Sequence, residues 1–237
     1  MQIKVMQVGQ LGTNCYLLED EETRTAAVVD PGGEGARILA QLKADGMELK
    51  LILLTHAHFD HMGDALAIAR ARGAVIVAVS ELAKYCAAQG GVETLKVNVG
   101  GSIRLPLGTV RFPQAFHSSS IDLPDGRNLY GGEAVGLLFQ SEGKCIYHAG
   151  DTGLFGDMAL LGRRYPLDVA LLPIGGTIVM DPDDAAYASD LLGAKLVIPM
   201  HYNSFPSICQ DPYVFKTMLA ERGQACRVME PGQTLIL

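Results

Sequence analysis

Residues 51–63 read LILLTHAHFDHMG. An apolar run of strand length, Leu51 to Leu54, passes straight into a turn carrying His56, His58, Asp60 and His61, and a segment of helical period begins at Gly63. Four side chains able to bind a metal therefore crowd one strand-to-helix turn. Half of the chain's six histidines fall within six positions, which a polar turn with incidental histidines does not explain. The spacing supplies the chemical reason. Positions one and three of a turn can aim at a common point, so His56 and His58 could share one metal ion, while Asp60 and His61 lie further round and could reach a second. Imidazole nitrogen and carboxylate oxygen both bond zinc at about 2.0–2.2 Å. The turn alone completes neither coordination sphere.

The missing ligands can be sought by the same rule, a His or Asp just beyond the C-terminal end of an apolar strand. His117 follows VRFPQAF, Asp151 follows CIYHAG and His201 follows KLVIPM. Strand ends on one edge of a layered α/β fold converge in a crevice, so these residues and the turn are expected to meet there. Asp30, in VVDPGG, has the same strand-end position; it is either a turn carboxylate before Pro31-Gly32 or a hydrogen-bond partner of a ligand histidine. His148 lies three residues before Asp151, so strand alternation points it to the opposite face, and it is expected to be a core histidine or a support behind a ligand.

The wider chain has the balance of a folded soluble protein: 237 residues, 49% hydrophobic and 19% charged, which excludes disorder as its main state. No Pro/Ser linker, charge block or low-complexity tract divides it, so a single domain over 1–237 is expected. Strands are expected at 3–8, 15–18, 26–29, 49–54, 75–79, 110–115, 135–140, 145–148, 169–172, 196–200, 225–229 and 234–237. Helices are expected at 35–45, 63–72, 81–89 and 154–165. Asp181-Pro182 and Asp211-Pro212 each place a capping carboxylate before a proline at the first helical position, and Gly223 closes the second of these helices. The pattern is an α/β layered fold. SSSIDLPDGRNLYGG (118–132) reads as a long polar loop beside His117.

Net charge is -7, which argues against non-specific binding to nucleic acid or to an anionic membrane surface. No run approaches the roughly 18 apolar residues of a membrane span, and the start, MQIKVMQVGQ, lacks a signal peptide's apolar stretch. Five scattered cysteines without a CxxC pair suit free thiols in a reducing cytoplasm. The expected partner is a small-molecule substrate; homo-oligomerisation stays open.

HxHxDH at 56–61, a later His117, AGDT at 149–152 and a final His201 resemble, in that order, the metallo-β-lactamase superfamily. From about Leu49 onward the chain is more closely similar to UPF0173-type metal-dependent hydrolases, through AFHSSS (115–120), YHAGDTGLFGDM (147–158), LLPIGG (171–176) and VIPMHYNSFP (197–206). The resemblance implies a four-layer αββα sandwich with a binuclear metal site at one edge. His56, His58 and His117 would hold one metal, Asp60, His61 and His201 the other, with Asp151 bridging. Two divalent ions per chain are implied, zinc by default for a histidine-rich site, with Mn2+ or Fe2+ as alternatives.

The implied activity is hydrolysis of a small anionic ester-like substrate, a lactone or phosphodiester, by metal-bound hydroxide. Asp60 would be the catalytic residue, a ligand that also orients the nucleophile and relays its proton. Tyr202 and Asn203 could donate hydrogen bonds to a developing oxyanion or simply pack their loop, and Ser118 is a further candidate for binding an anionic group. Two segments depart from the subgroup: TNCYLLEDEETRTAAVVDPGG (13–33) is similar to glyoxalase II thioesterases, and Gly176-Thr177 stands where a more polar pair is expected. A glyoxalase II-like thioesterase and a non-catalytic metal-binding protein are the alternatives.

Overall fold

The computed structural model describes residues 1–237. Three antiparallel strands come first: β1 (Gln2–Val8), β2 (Thr13–Asp20) and β3 (Thr25–Val29). A β/α alternation follows, through α1 (Gly35–Ala44), β4 (Glu48–Leu53), α2 (Phe59–Met62), α3 (Ala65–Arg72), β5 (Val75–Ala78), α4 (Ser80–Ala88) and β6 (Thr94–Lys96). The second half contains β7 (Ser102–Leu105), β8 (Gly108–Arg111), β9 (Ser120–Asp122), β10 (Asn128–Tyr130), β11 (Leu137–Ser141) and β12 (Lys144–His148). It ends with α5 (Met158–Arg164), β13 (Val169–Pro173), α6 (Pro182–Leu192), β14 (Leu196–Met200), α7 (Pro212–Glu221) and β15 (Thr234–Ile236).

The strands form two large sheets, in the orders β15-β1-β2-β3-β4-β5-β6 and β14-β13-β12-β11-β8-β7. Each is antiparallel at one end and parallel at the other, β3 to β6 in the first and β12 to β14 in the second. Parallel neighbours need crossovers, which the helices supply. Helices α1, α3 and α4 contact strands of the first sheet, and α6 contacts β13 of the second while touching α5 and α7. The result is a four-layer αββα sandwich. Its inner strands are apolar on both faces, as parallel strands covered on both sides must be: every residue of β13 is buried, as are four of the five in β3. A core cluster of 66 buried residues runs from Met1 to Leu235.

Local signals account for several boundaries. The Asp181 carboxylate accepts from Asp184 N–H (2.9 Å), and Asp211 accepts from Tyr213 N–H (2.8 Å), each ahead of a proline that opens its helix. Elsewhere the structure departs from the sequence pattern. Residues 118–132 are not irregular throughout, because β9 and β10 pair as a short hairpin. The apolar stretch 225–229 is not a strand; it contributes one isolated bridge, Cys226 to Val197. The extended run 110–115 leaves the sheet after Arg111, and the helix expected from 154 starts at Met158. β6 and β7 are short terminal strands too polar to stand out by alternation.

One buried charge cluster has a measurable consequence. Lys4 on β1 pairs with Asp45 after α1, and Glu19 on β2 is packed beside them with Oε1 unpartnered. Burial, then the neighbouring Asp45 carboxylate, pushes Glu19 up to about 7, above the roughly 4.3 of an unfolded chain. The folded protein therefore holds the extra proton, and the stability that this contributes is present below about 4.3 and lost as pH rises through 7. Glu19→Gln, fixed in the neutral form, should match the wild type at pH 4.5 and exceed it at pH 8 by about 1 kcal/mol, roughly 2–4 °C in Tm. Equal Tm differences at the two pH values would refute the assignment.

Candidate metal centre

The four parallel strands β3, β4, β12 and β14 end at the same edge of the sandwich, and each is followed by an acidic residue or a histidine: Asp30, the 56–61 turn, Asp151 and His201. Ligand-capable atoms of His56, His58 and His117 lie within 4.8 Å of one another, as do those of Asp60, His61 and His201; a third group, His56, His61 and Asp151, joins the two. His56, His61, Asp151 and His201 are buried, and His58, Asp60 and His117 are half-buried.

Hydrogen bonds behind the cluster set the orientation of two rings. Fully buried Asp30 accepts from Thr55 N–H (2.9 Å), from the Thr55 hydroxyl (2.6 Å) and from His61 Nδ1 (3.0 Å). Having given its only proton to Asp30, Thr55 Oγ1 must accept from His56 Nδ1, 3.0 Å away. Both rings thus commit the Nδ1 proton to these partners and turn Nε2 toward the centre. One carboxylate aligns two ligand-type histidines, the arrangement that raises ligand basicity in metal sites. His56 Nε2 and His58 Nδ1 approach to 3.0 Å, so His58 offers Nδ1. His58 Nε2 faces Ser118 Oγ at 3.3 Å.

The amino-terminal hairpin supplies two more contacts. Thr13 Oγ1 donates to Asp60 Oδ2 (2.9 Å), and the Asn14 carboxamide oxygen accepts His201 N–H (2.8 Å). The latter pins His201 in a left-handed backbone conformation (φ 54°), and Asp30 has a similar one (φ 50°). Such conformations cost free energy in non-glycine residues and persist where surrounding contacts fix them. Close packing explains the glycines after Asp30: a Cβ on Gly32 would lie 1.5 Å from the Asp60 carbonyl oxygen, so only glycine lets the β3 loop seat the ligand turn.

Electrostatics are those of a site built for positive charge. Burial pushes His56 well below its ordinary value, and the neighbouring His61 adds to this. For His61, burial acts downward but is outweighed by the surrounding carboxylates of Asp151, Asp30 and Asp60, so it rises well above the ordinary histidine value. Asp151 is the converse: burial would raise it, yet His61 and His201 hold it well below the carboxylate range. His61 Nε2 and His201 Nδ1 are buried with no hydrogen-bond partner. A donor set of imidazoles and carboxylates, with the orphaned His61 Nε2 facing Asp60 and Asp151 at 3.4 Å, fits a borderline divalent cation.

His148 sits behind this group. It is buried, accepts from Gly150 N–H at Nδ1 (3.1 Å) and packs edge-on against Tyr16; the turn at Gly150 (φ 65°) separates it from Asp151. Tyr202 and Asn203 line a cleft of about 730 Å3 with Gln7, Asn14 and Glu230, and none of the seven clustered residues borders it. The Asn203 carboxamide oxygen accepts Gln210 N–H (2.8 Å) within its own loop. Thr13, Asn14 and Thr55 escaped sequence reasoning, since a threonine or asparagine in a strand carries no spacing signal.

Two sheets that bring their parallel strand ends to one histidine-rich edge are the architecture of a metallo-β-lactamase fold enzyme. The family model for the beta-lactamase superfamily domain matches residues 26–202. A UPF0173 metal-dependent hydrolase of Geobacillus thermodenitrificans is 48% identical over 89% of this chain and 91% of its own length. Another, from Desulfitobacterium hafniense, is 41% identical over 98% and 99%. The latter alignment extends well before Leu49, so the similarity includes the amino-terminal hairpin. Among solved structures, a metallo hydrolase from the hyperthermophilic archaeon Ignicoccus hospitalis superposes with a TM-score of 0.80, at 34% identity and 99% and 98% coverage. The chain belongs to the UPF0173 metal-dependent hydrolases of the metallo-β-lactamase superfamily.

Proposed function

We propose that the chain is a single-domain binuclear hydrolase of a small anionic ester-like substrate, a lactone or phosphodiester, working in the cytoplasm with zinc as the default metal. His56, His58 and His117 would hold one ion and Asp60, His61 and His201 the other, with Asp151 shared between the two groups. The observation that carries this reading is the position of one oxygen. Asp151 Oδ2 lies 3.0 Å from His201 Nε2, 3.4 Å from His61 Nε2 and 3.8 Å from His117 Nε2, so it faces members of both groups. The cytoplasmic reading is supported by five free cysteines. No helix is long and apolar enough to cross a membrane.

Two bound divalent ions would supply a water acidic enough to ionise near neutral pH and an electrophile for the substrate oxygen. Asp60 would orient the nucleophile and take up its proton. Burial acts upward on its carboxyl, but His61 and Thr13 outweigh it and hold Asp60 below the ordinary carboxylate value, so it is ionised at neutral pH. The Thr13 hydroxyl fixes one of its oxygens. Asp30, through Thr55 and directly, keeps His56 and His61 in register. Ser118, exposed 3.3 Å from His58 Nε2, would hydrogen-bond an anionic group, while Tyr202 and Asn203, which follow His201 in the chain, border a separate cleft and would contact a further part of the substrate.

The test is a panel of sugar-phosphate lactones, bis-aryl phosphodiesters, acyl-glutathione thioesters and single-stranded RNA, assayed with zinc and with manganese. Lactone or phosphodiester turnover should dominate. Asp60→Asn at full metal occupancy should lose about 10²-fold or more in kcat with a smaller change in KM. Dominant thioester turnover would move the assignment to a glyoxalase II-like thioesterase, and none by metal-loaded protein would favour a metal-binding role. Wild-type kcat in Asp60→Asn would leave Asp60 purely structural.

A further inference from the structure

Phe116 immediately precedes His117, and its side chain is 56% exposed. Its backbone is nevertheless held on both sides: the N–H donates to Thr152 Oγ1 (2.9 Å), and the carbonyl accepts Gly153 N–H (3.1 Å). The backbone is thus held one residue before His117 and against the segment that follows Asp151, while the ring stays in water and forgoes the hydrophobic stabilisation that burial would give it.

Phe116 does not stand alone. The Phe155 ring lies 5.2 Å from it, centroid to centroid, tilted by 49°, within the range of favourable aromatic pairs. Phe155 in turn lines a cavity of about 300 Å3 with Val99, Pro113, Leu160 and Leu161. Val99 and Leu160 are also exposed. An apolar path therefore starts one residue from the ligand cluster and ends in a pocket, and contiguous exposed apolar surface of this kind marks binding sites on soluble proteins.

We propose that this path binds an apolar acyl, alkyl or aryl portion of the substrate, whose scissile group lies at the metal centre; the proposal rests on the hydrolase reading above and narrows its substrate class. Two larger recesses suit such a group poorly: the cleft at Tyr202 and Asn203 is bordered by Glu230, Asp211 and four carboxamide side chains, and a recess of about 540 Å3 that includes Asp60 is lined by glycines, Gln10, Glu34 and Asp64 with Phe59 as its one apolar side chain. The path has aromatic and aliphatic walls from Phe155, Val99, Pro113, Leu160 and Leu161, with Asp157 and Gln114 as its polar members. A cavity of this size is at the lower end for small-molecule sites, which matches a medium-length chain or an aryl group.

The experiment titrates n-alkyl carboxylates from acetate to decanoate into metal-loaded protein by calorimetry, alongside kinetics on a matched 4-nitrophenyl ester series. Wild-type affinity should rise roughly 3- to 4-fold per methylene through the middle of the series and then level off. Phe116→Ala and Leu160→Asp should flatten that rise while leaving acetate affinity and metal content unchanged. A flat wild-type series, or a rise that neither variant alters, overturns the proposal. Loss of the rise together with dissociation of a dimer, read by light scattering, also overturns it and reassigns the path to a contact between copies. Chain-length-dependent binding without turnover of these esters or of the lactone and phosphodiester panel would sink the hydrolytic reading and support the apolar path. Turnover with a flat series would do the reverse.

Discussion

Asp151→Ala is expected to lower kcat by more than about 10³-fold and, if the centre is binuclear as proposed, to reduce metal content from two ions per chain to one or none. The reason is geometric. Asp151 Oδ2 is within 3.8 Å of ring nitrogens from three histidines that belong to both ligand groups, so its loss weakens both positions at once. Metal activation of water and substrate contributes several kcal/mol to a hydrolytic barrier, and each 1.36 kcal/mol is about tenfold in rate. Elemental analysis after reconstitution and removal of free metal reads the stoichiometry, with circular dichroism to verify folding. A folded variant that keeps two ions and the wild-type rate would remove Asp151 from the centre.

Asp30→Ala should be the most damaging substitution that touches no metal. It strands three donors in the interior, Thr55 N–H, the Thr55 hydroxyl and His61 Nδ1, and places alanine at φ 50°. Unpaired buried groups of this kind cost about 1–3 kcal/mol each, and breaking a buried charged network typically costs about 3–5 kcal/mol in all. Denaturant unfolding of metal-free protein should show a loss in that range. Asp30→Asn tolerates the left-handed backbone and should lose less stability, yet weaken metal affinity by about 10- to 100-fold through misaligned His56 and His61. Competition with a chromophoric chelator measures the affinity. Wild-type stability in Asp30→Ala would mean that the hydrogen-bond chain carries little energy.

These two residues differ in how visible they were beforehand. Asp151 follows a strand of buried residues and a glycine, a position where α/β folds gather chemistry, and the same rule picks out His117 and His201. Asp30 satisfies the rule too, but VVDPGG is equally a plain turn, and only the 25-residue and 31-residue contacts to Thr55 and His61 separate the readings. Thr13 and Asn14 carry no such signal. Their role comes from β2 lying beside the ligand turn and the β14 loop, the latter 187 residues away along the chain.

The stretch LILLTHAHFDH, the two Asp-Pro caps and the alternation of apolar runs with helical segments determine by themselves the α/β layering, most of its elements and the side chains that gather at one edge. They do so because hydrophobic period, proline and capping chemistry act over a few neighbouring residues, within the range that a linear pattern can encode. Tertiary structure alone decided the rest: the pairing of β9 with β10, the failure of 225–229 to form a strand, the proton positions on His56 and His61, and the apolar path from Phe116. Each depends on polar or apolar groups brought together from distant parts of the chain by the packing of two sheets, and a hydrogen bond or a shared pocket has no energy until that packing places its partners within reach.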